Sequence, residues 1–286
     1  MGWVYTDPSL PMDHSPDKRQ PKTMQATFED HKQFSKLIGV ISAFENSFIL
    51  KCSKQGIRIF CLDNSKTSVI EVTLPNEYFK QYSFTAKKTD TIDLGINVPV
   101  FMDTLKGMKK TDTLHLISEE GKDLLKVQAD GEESQMVYDI KLMTIEENAM
   151  EIPDMAYNIR MTLKASVLKM WKSQICDHTG ESLQFNVEKD KLLLTSAGTN
   201  VSVKSTLCHG ESMCITNYDD PSELTLSQRS ITTAARICDI ASEMQYGWTN
   251  AAPANFTCVL GNGGRVSMWF APTMADDEED ADMNDA

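Results

Sequence analysis

Asp177-His178 has the residue types and adjacency for general acid–base work, and Gly261-Asn-Gly-Gly264 has the glycine content to cradle a phosphate. Neither survives its context. Asp177-His178 runs into Thr179-Gly180, the way a helix ends, with a basic side chain near the negative pole of its dipole. Gly261–Gly264 lies between the strand-like runs Phe256–Leu260 and Val266–Phe270, and no helix follows to aim its N–H groups at an anion. It therefore reads as a hairpin turn. The seven cysteines (52, 61, 176, 208, 214, 238 and 258) form no CxxC, and no Cys and His fall at ligand spacing. They are expected to be mostly buried thiols of a reduced compartment. No nucleophile elbow, Walker loop or carboxylate pair stands out, so the sequence predicts no enzyme, no metal and no cofactor.

Charge offers a different chemistry. The net charge is −13, and seven of the acidic side chains crowd the last stretch, from Asp276 to Asp285. Low complexity and like charge predict a solvated tail over 274–286. Four segments with helical apolar spacing, 31–44, 98–110, 164–178 and 229–243, carry ten Lys and Arg against four Asp and Glu. Solvated helix faces often favour Lys and Arg. The sharper expectation is one surface of helices facing a polyanion, with phosphate contacts that read no sequence.

The elements that would position these side chains repeat. Phe34, Leu37, Ile38, Ile41 and Phe44 recur at helical spacing, and alternating runs follow at Ser47–Cys52, Gly56–Leu62 and Ser68–Leu74. A second helix is expected after Asn97, with Pro99 in its first turn and Lys106, Lys109 and Lys110 at its end. Hairpin strands at Thr113–Ile117 and Leu124–Gln128 come next. The second half repeats the order, with helices over 165–177 and 229–243 and strands at 183–187, 192–196, 201–207, 256–260 and 266–270. The fold class is α+β. The expected boundaries are a flexible arm over 1–23, a domain over 24–143, a connector over 144–154 and a second domain over 155–273. No run of 18 apolar residues exists, so no membrane span is expected.

Four anchors, in order and at near-family spacing, give the sequence a specific likeness. They are Gly56-Ile-Arg-Ile-Phe-Cys-Leu-Asp-Asn-Ser65 with Glu71-Val-Thr-Leu74, then Leu94-Gly-Ile-Asn97. Tyr138-Asp-Ile-Lys-Leu-Met143 follows with Ile152-Pro153 and Tyr157, and finally Ala271-Pro272 before the acidic tail. Over residues 24–273 the chain resembles the eukaryotic-type DNA sliding clamp, the proliferating cell nuclear antigen family. That resemblance implies two similar clamp domains per chain, helices lining the inside, antiparallel sheets outside, and a closed homotrimeric ring. The strand near Ser134–Lys141 of one copy would pair with the strand near Asn200–Thr206 of the next, placing Tyr138, Ile140, Val201 and Val203 in the subunit interface.

The function implied is a DNA polymerase processivity factor that encircles double-stranded DNA and tethers replication and repair enzymes, in the nucleus or at a viral replication site. DNA polymerase, other motif-bearing proteins and a clamp loader are the implied partners. The inner basic positions carry over as Lys36, Lys106, Arg229 and Arg236, with Lys32, Lys109, Lys110, Lys169 and Lys172 as further helix lysines. Ser42, Asp103 and Ser173 stand where the family usually has a basic residue, which implies a less positive channel. The partner-peptide pocket carries over as Leu62, Thr67, Val69, Met150, Ile152, Pro253, Trp269 and Ala271, with Trp269 in place of the usual tyrosine. Two other readings fit the same residues: one subunit of a heterotrimeric checkpoint-type clamp, and a monomeric or dimeric factor that holds DNA by charge alone.

Overall fold

The computed structural model describes residues 23–28, 30–85, 90–119, 121–146, 152, 155–179, 182–220, 223–250 and 252–273. The arm before Thr23, the tail after Thr273 and Met150 lie outside them. Thr23, assigned to the arm from sequence, is the first residue of a strand.

The first half runs β1 (Thr23–Phe28), α1 (His31–Ile41), β2 (Ser47–Ser53), β3 (Gly56–Leu62), β4 (Ser68–Pro75), β5 (Gln81–Thr85), β6 (Thr91–Asn97), α2 (Val98–Lys106), β7 (Thr113–Glu119), β8 (Leu124–Asp130) and β9 (Gln135–Lys141). The second half runs β10 (Ile159–Lys164), α3 (Ala165–Trp171), β11 (Ser182–Glu188), β12 (Lys191–Ala197), β13 (Ser202–Cys208), β14 (Met213–Tyr218), β15 (Glu223–Ser227), α4 (Gln228–Ala235), β16 (Glu243–Trp248), β17 (Ala254–Val259) and β18 (Arg265–Phe270).

Strand order turns the suspected repeat into an element-by-element one. The first half pairs as β5-β1-β7-β8-β9 and β4-β3-β2-β6, and the second as β14-β10-β16-β17-β18 and β13-β12-β11-β15. Adding nine to each strand number of the first half gives the second. The halves join because β18 pairs with β4, placing Trp269 opposite Val69 and Phe270 opposite Ser68 in one nine-stranded sheet. The counterparts of those two strands, β9 and β13, are both open sheet edges. Chain exits repeat as well. The Met143 amide donates to Gly95 on β6, and the Thr273 amide to Thr225 on β15, each at 2.9 Å.

Helix starts follow from local chemistry. Asp30 caps α1 by accepting from the Lys32 and Gln33 amides. Asn97 caps α2 ahead of Pro99, and Ser227 caps α4. The apolar stripe of each helix is buried: Phe34, Leu37 and Ile38 on α1, Phe101 and Leu105 on α2, Leu168 and Trp171 on α3, Ile231 and Ala234 on α4. Each half has its own aromatic centre. Phe34 packs on Phe28 at 4.2 Å and Phe101 at 6.1 Å, while Phe185 bridges Trp171 at 5.6 Å and Trp248 at 6.3 Å. Burying each such ring stabilises the fold by roughly 1.5–3 kcal/mol.

Three helices are shorter than their periodicity suggests, the first of them α1, which stops at Ile41 short of Phe44. α2 stops at Lys106 with Gly107 as its cap, so Lys109 and Lys110 sit in the turn beyond it. α4 stops at Ala235, tightens into a 3-10 turn over Arg236–Asp239, and Glu243 already opens β16. α3 does the reverse, widening into a π-turn over Lys172–Cys176. His178 and Thr179 close that turn, their amides both donating to the Ile175 carbonyl at 3.0 Å.

Candidate nucleic-acid interface and outer groove

The four helices form one layer: α1 touches α2, α3 touches α4, and the 3-10 turn after α4 touches both α1 and α3. Their apolar stripes face the sheets, so their polar faces form a common opposite surface. Lys32, Lys36, Lys106, Lys109, Lys110, Lys169, Lys172, Arg229 and Arg236 are all exposed. The structure brings these nine residues, drawn from five stretches of chain, onto the helix layer and the turn that leaves α2.

Several of these cations are already engaged. Lys169 Nζ lies 2.8 Å from Asp239 Oδ1, and Lys36 Nζ donates to the Asp239 carbonyl at 3.2 Å. The Lys169 hydrogen bond, assisted by the charge of Lys36, holds the Asp239 carboxyl below the usual carboxylate range. Lys106 is tied to Asp103 at 2.8 Å, and Arg236 donates to the Gly39 carbonyl at 3.3 Å. Among the described residues Lys32, Lys109, Lys110 and Lys172 have no ion-pair partner. The Ser42 hydroxyl donates to the Gly39 carbonyl and that of Ser173 to Met170, so both turn back onto their own helices. Asp239 is the residue sequence reasoning passed over. It sat inside a predicted helix, whereas the 3-10 turn carries it between lysines of both halves.

Arg229 sits at the seam of the halves, beside the β3–β4 loop. Asp63 organises that loop, accepting from the Thr67 and Ser68 amides at 2.9 Å each and from the Ser65 hydroxyl. Partial burial pushes its pKa up, but the Ser65 hydroxyl, the two amides and the Arg229 charge outweigh it and hold the carboxyl below its ordinary value.

On the opposite face, sheet register lines up three of the residues expected in the outer pocket. Leu62 pairs with Val69, Val69 with Trp269, and Trp269 with Asn255, which places four side chains in one row across β3, β4, β18 and β17. The Ala271 amide donates to the Thr67 carbonyl at 2.8 Å, fixing the exit of β18 beside the Asp63 loop. Val69 is buried, Leu62, Ile152, Pro253, Trp269 and Ala271 are half-buried, and Thr67 is exposed. Trp269 continues into a groove of about 460 Å³ that also holds Tyr157 and Arg160. Tyr157 belongs to this surface and was missing from the pocket residues inferred from sequence.

Of the four residues expected in the subunit interface, Tyr138 and Val203 are half-buried and Val201 is 47% exposed. Ile140 is buried in its own domain, which leaves its backbone as what it can offer at the edge. Met136 and Val137, 52% and 47% exposed, add apolar surface to the same strand.

Known proteins resemble this chain in sequence and in fold. Residues 23–151 match the family model described as proliferating cell nuclear antigen, N-terminal domain. The chain is 23% identical over 264 residues to the proliferating cell nuclear antigen of Chaetomium thermophilum, covering 89% of this chain and all of that one. It is 23% identical over 250 residues to the DNA polymerase sliding clamp of Pyrococcus horikoshii, covering 87% of this chain and 97% of that one. The crystal structure of the Entamoeba histolytica proliferating cellular nuclear antigen superposes with a TM-score of 0.80 at 20% identity, over 88% of this chain and 99% of that one.

Proposed function

We propose that this chain is a member of the proliferating cell nuclear antigen family and works as a DNA sliding clamp, a reading supported by its matched N-terminal domain and by relatives that align along nearly its whole length. Three copies close head to tail around duplex DNA and tether polymerases and other motif-bearing replication and repair proteins, without catalytic chemistry of their own. The nucleus, or a viral replication site, is where such a ring would act.

The observation that carries this reading is the repeated joint. Inside the chain, β18 of the second half pairs with β4 of the first. Their counterparts β9 and β13 are left open, each at the edge of its own sheet. Repeating the joint between copies satisfies both edges and makes a heterologous contact that closes by rotation.

The register transfers too. The Met143 and Thr273 exits match β9 to β18, and the loop bonds Asp63 to Ser68 and Gly198 to Val201 match β4 to β13. On that correspondence Phe270 opposite Ser68 becomes Ile140 opposite Val201, and Met268 opposite Ile70 becomes Tyr138 opposite Val203. Because both edges belong to this chain, a ring of identical copies is favoured over one that needs different subunits.

The helix layer then faces the hole. A closed ring cannot leave DNA without opening, so weak phosphate contacts suffice, and lysines partly tied to Asp239 and Asp103 suit sliding better than gripping. A clamp loader is the partner that would open such a ring. The outer row of Leu62, Val69 and Trp269, with Ile152, would be the pocket for a partner's helical plug. Its counterpart at the joint between copies has Asp139 and Ser202 in place of Trp269 and Val69, so each chain carries one such pocket. Light scattering at micromolar concentration tests the assembly. A particle of about three times the 32.0 kDa chain supports it, and a monomer refutes it.

A further inference from the structure

The outer cross-strand row does not stop at Trp269. Asn255 pairs with Gly247 on β16, and Gly247 pairs with Arg160 on β10, so Arg160 lies on the same face three strands beyond the tryptophan. Gly247 leaves the space that the Tyr157 ring fills: a Cβ there would lie 2.9 Å from Tyr157 Cδ2. The Arg160 guanidinium stands over that ring, 5.8 Å from its centroid. Read along the row, the surface passes from apolar (Leu62, Val69, Trp269) through an amide (Asn255) and an aromatic ring (Tyr157) to an exposed cation. Arg265 adds a second positive charge to the groove, and no Asp or Glu is among its described lining residues. In a chain of net charge −13 this is a local inversion of sign beside the partner pocket.

We infer that Arg160, with Arg265 behind it, makes an anion-selective extension of the partner site, so that docking peptides carry Asp or Glu beyond their hydrophobic plug. The inference rests on the pocket reading above. It commits to a partner peptide because the groove is continuous with that pocket and opposite in charge to a carboxylate. Three strand spacings, about 14 Å, separate Trp269 from Arg160, a span that about four extended residues cover. The acidic residue therefore falls about four positions from the plug. A guanidinium presents paired N–H donors that fit a carboxylate, and stacking on Tyr157 holds its plane.

The test uses the full chain and labelled synthetic peptides with a one-turn helical plug of two phenylalanines. Each carries an Asp pair or an Asn pair four residues from the plug, on either flank in turn, and binding is read by fluorescence anisotropy. For one flank the Asp peptide is expected to bind about threefold or more tighter than the Asn peptide, with the preference fading at high salt. Arg160→Gln should erase that preference, so that the Asp and Asn peptides bind alike. Equal binding of Asp and Asn peptides on both flanks would overturn the extension and leave the pocket standing. Failure of every peptide to bind would overturn the pocket as well. A preference that emerges only in a chain truncated after Thr273 would assign the groove to the chain's own acidic tail, against a partner.

Discussion

The Lys169 ammonium lies 2.8 Å from the Asp239 carboxylate, while Lys36, from the other half of the chain, donates to the carbonyl of the same aspartate. One acidic residue thus holds two of the cations expected to meet DNA. Asp239→Asn removes the carboxylate that competes for Lys169 and leaves the carbonyl bonded to Lys36 in place. Duplex affinity should rise about twofold to fivefold at low salt, the scale of an exposed ion pair. The slope of log affinity against log salt should steepen by up to about 0.9 if one more phosphate contact forms. An unchanged salt slope would show that Lys169 does not reach the duplex.

Lys106 and Arg236 lie on helices of different halves, so charge reversal at both samples the whole layer. Lys106→Glu with Arg236→Glu should reduce polymerase processivity on loaded rings and leave peptide binding intact. Loss of peptide binding alone would place these residues on the wrong face.

Trp269 stands in the outer row with its ring half-buried. Trp269→Ala should weaken plug-peptide binding about tenfold or more, as loss of a central aromatic anchor does, while the particle mass stays the same. Ile152→Ala together with Met150→Ala should act in the same direction. Calorimetric titration curves that overlay the parent's would remove the pocket from the account.

The Asp63 carboxyl gives a pH signature. Its folded pKa lies below the ordinary 3.8, so its stabilisation is fully present above that value and is lost only as pH falls through the lower folded one. Exchange protection of the Thr67 and Ser68 amides should therefore persist as pH drops to about 4 and disappear below it. Asp63→Ala should lose this protection at neutral pH. Protection that survives in the variant would mean that the sheet, not Asp63, orders the loop.

Periodicity carried the elements with strong local signals. Phe34, Leu37 and Ile38 marked α1, and the alternation in β3 and β4 was regular enough to place both strands. It failed where tertiary contacts decide. β5 is five residues with no fully buried position, and β1 owes its place to pairing with distant β5 and β7. The run through Ala241 looked helical, yet the chain tightens after Ala235, where the Cys238 thiol donates to the Ala165 carbonyl of the neighbouring helix start. The cationic face was legible because Lys and Arg cluster in the helical windows. Its neutralisation was not, because Asp239 meets Lys169 only across the packed layer. Tyr157 escaped as a pocket residue because its partner space is the missing side chain of Gly247, ninety residues away.

The register carried over from β18 and β4 to β9 and β13 allows the ring itself to be tested. Tyr138→Cys and Val203→Cys, in a chain whose exposed Cys208 and Cys214 are replaced by Ser, are to be oxidised in the presence of closed circular plasmid. The expected product is a covalently closed trimer that stays on the plasmid through high-salt washing and comes off when the plasmid is cut once. A chain that forms no such cross-link, or a cross-linked trimer that washes from circular DNA as readily as from linear DNA, would contradict encirclement.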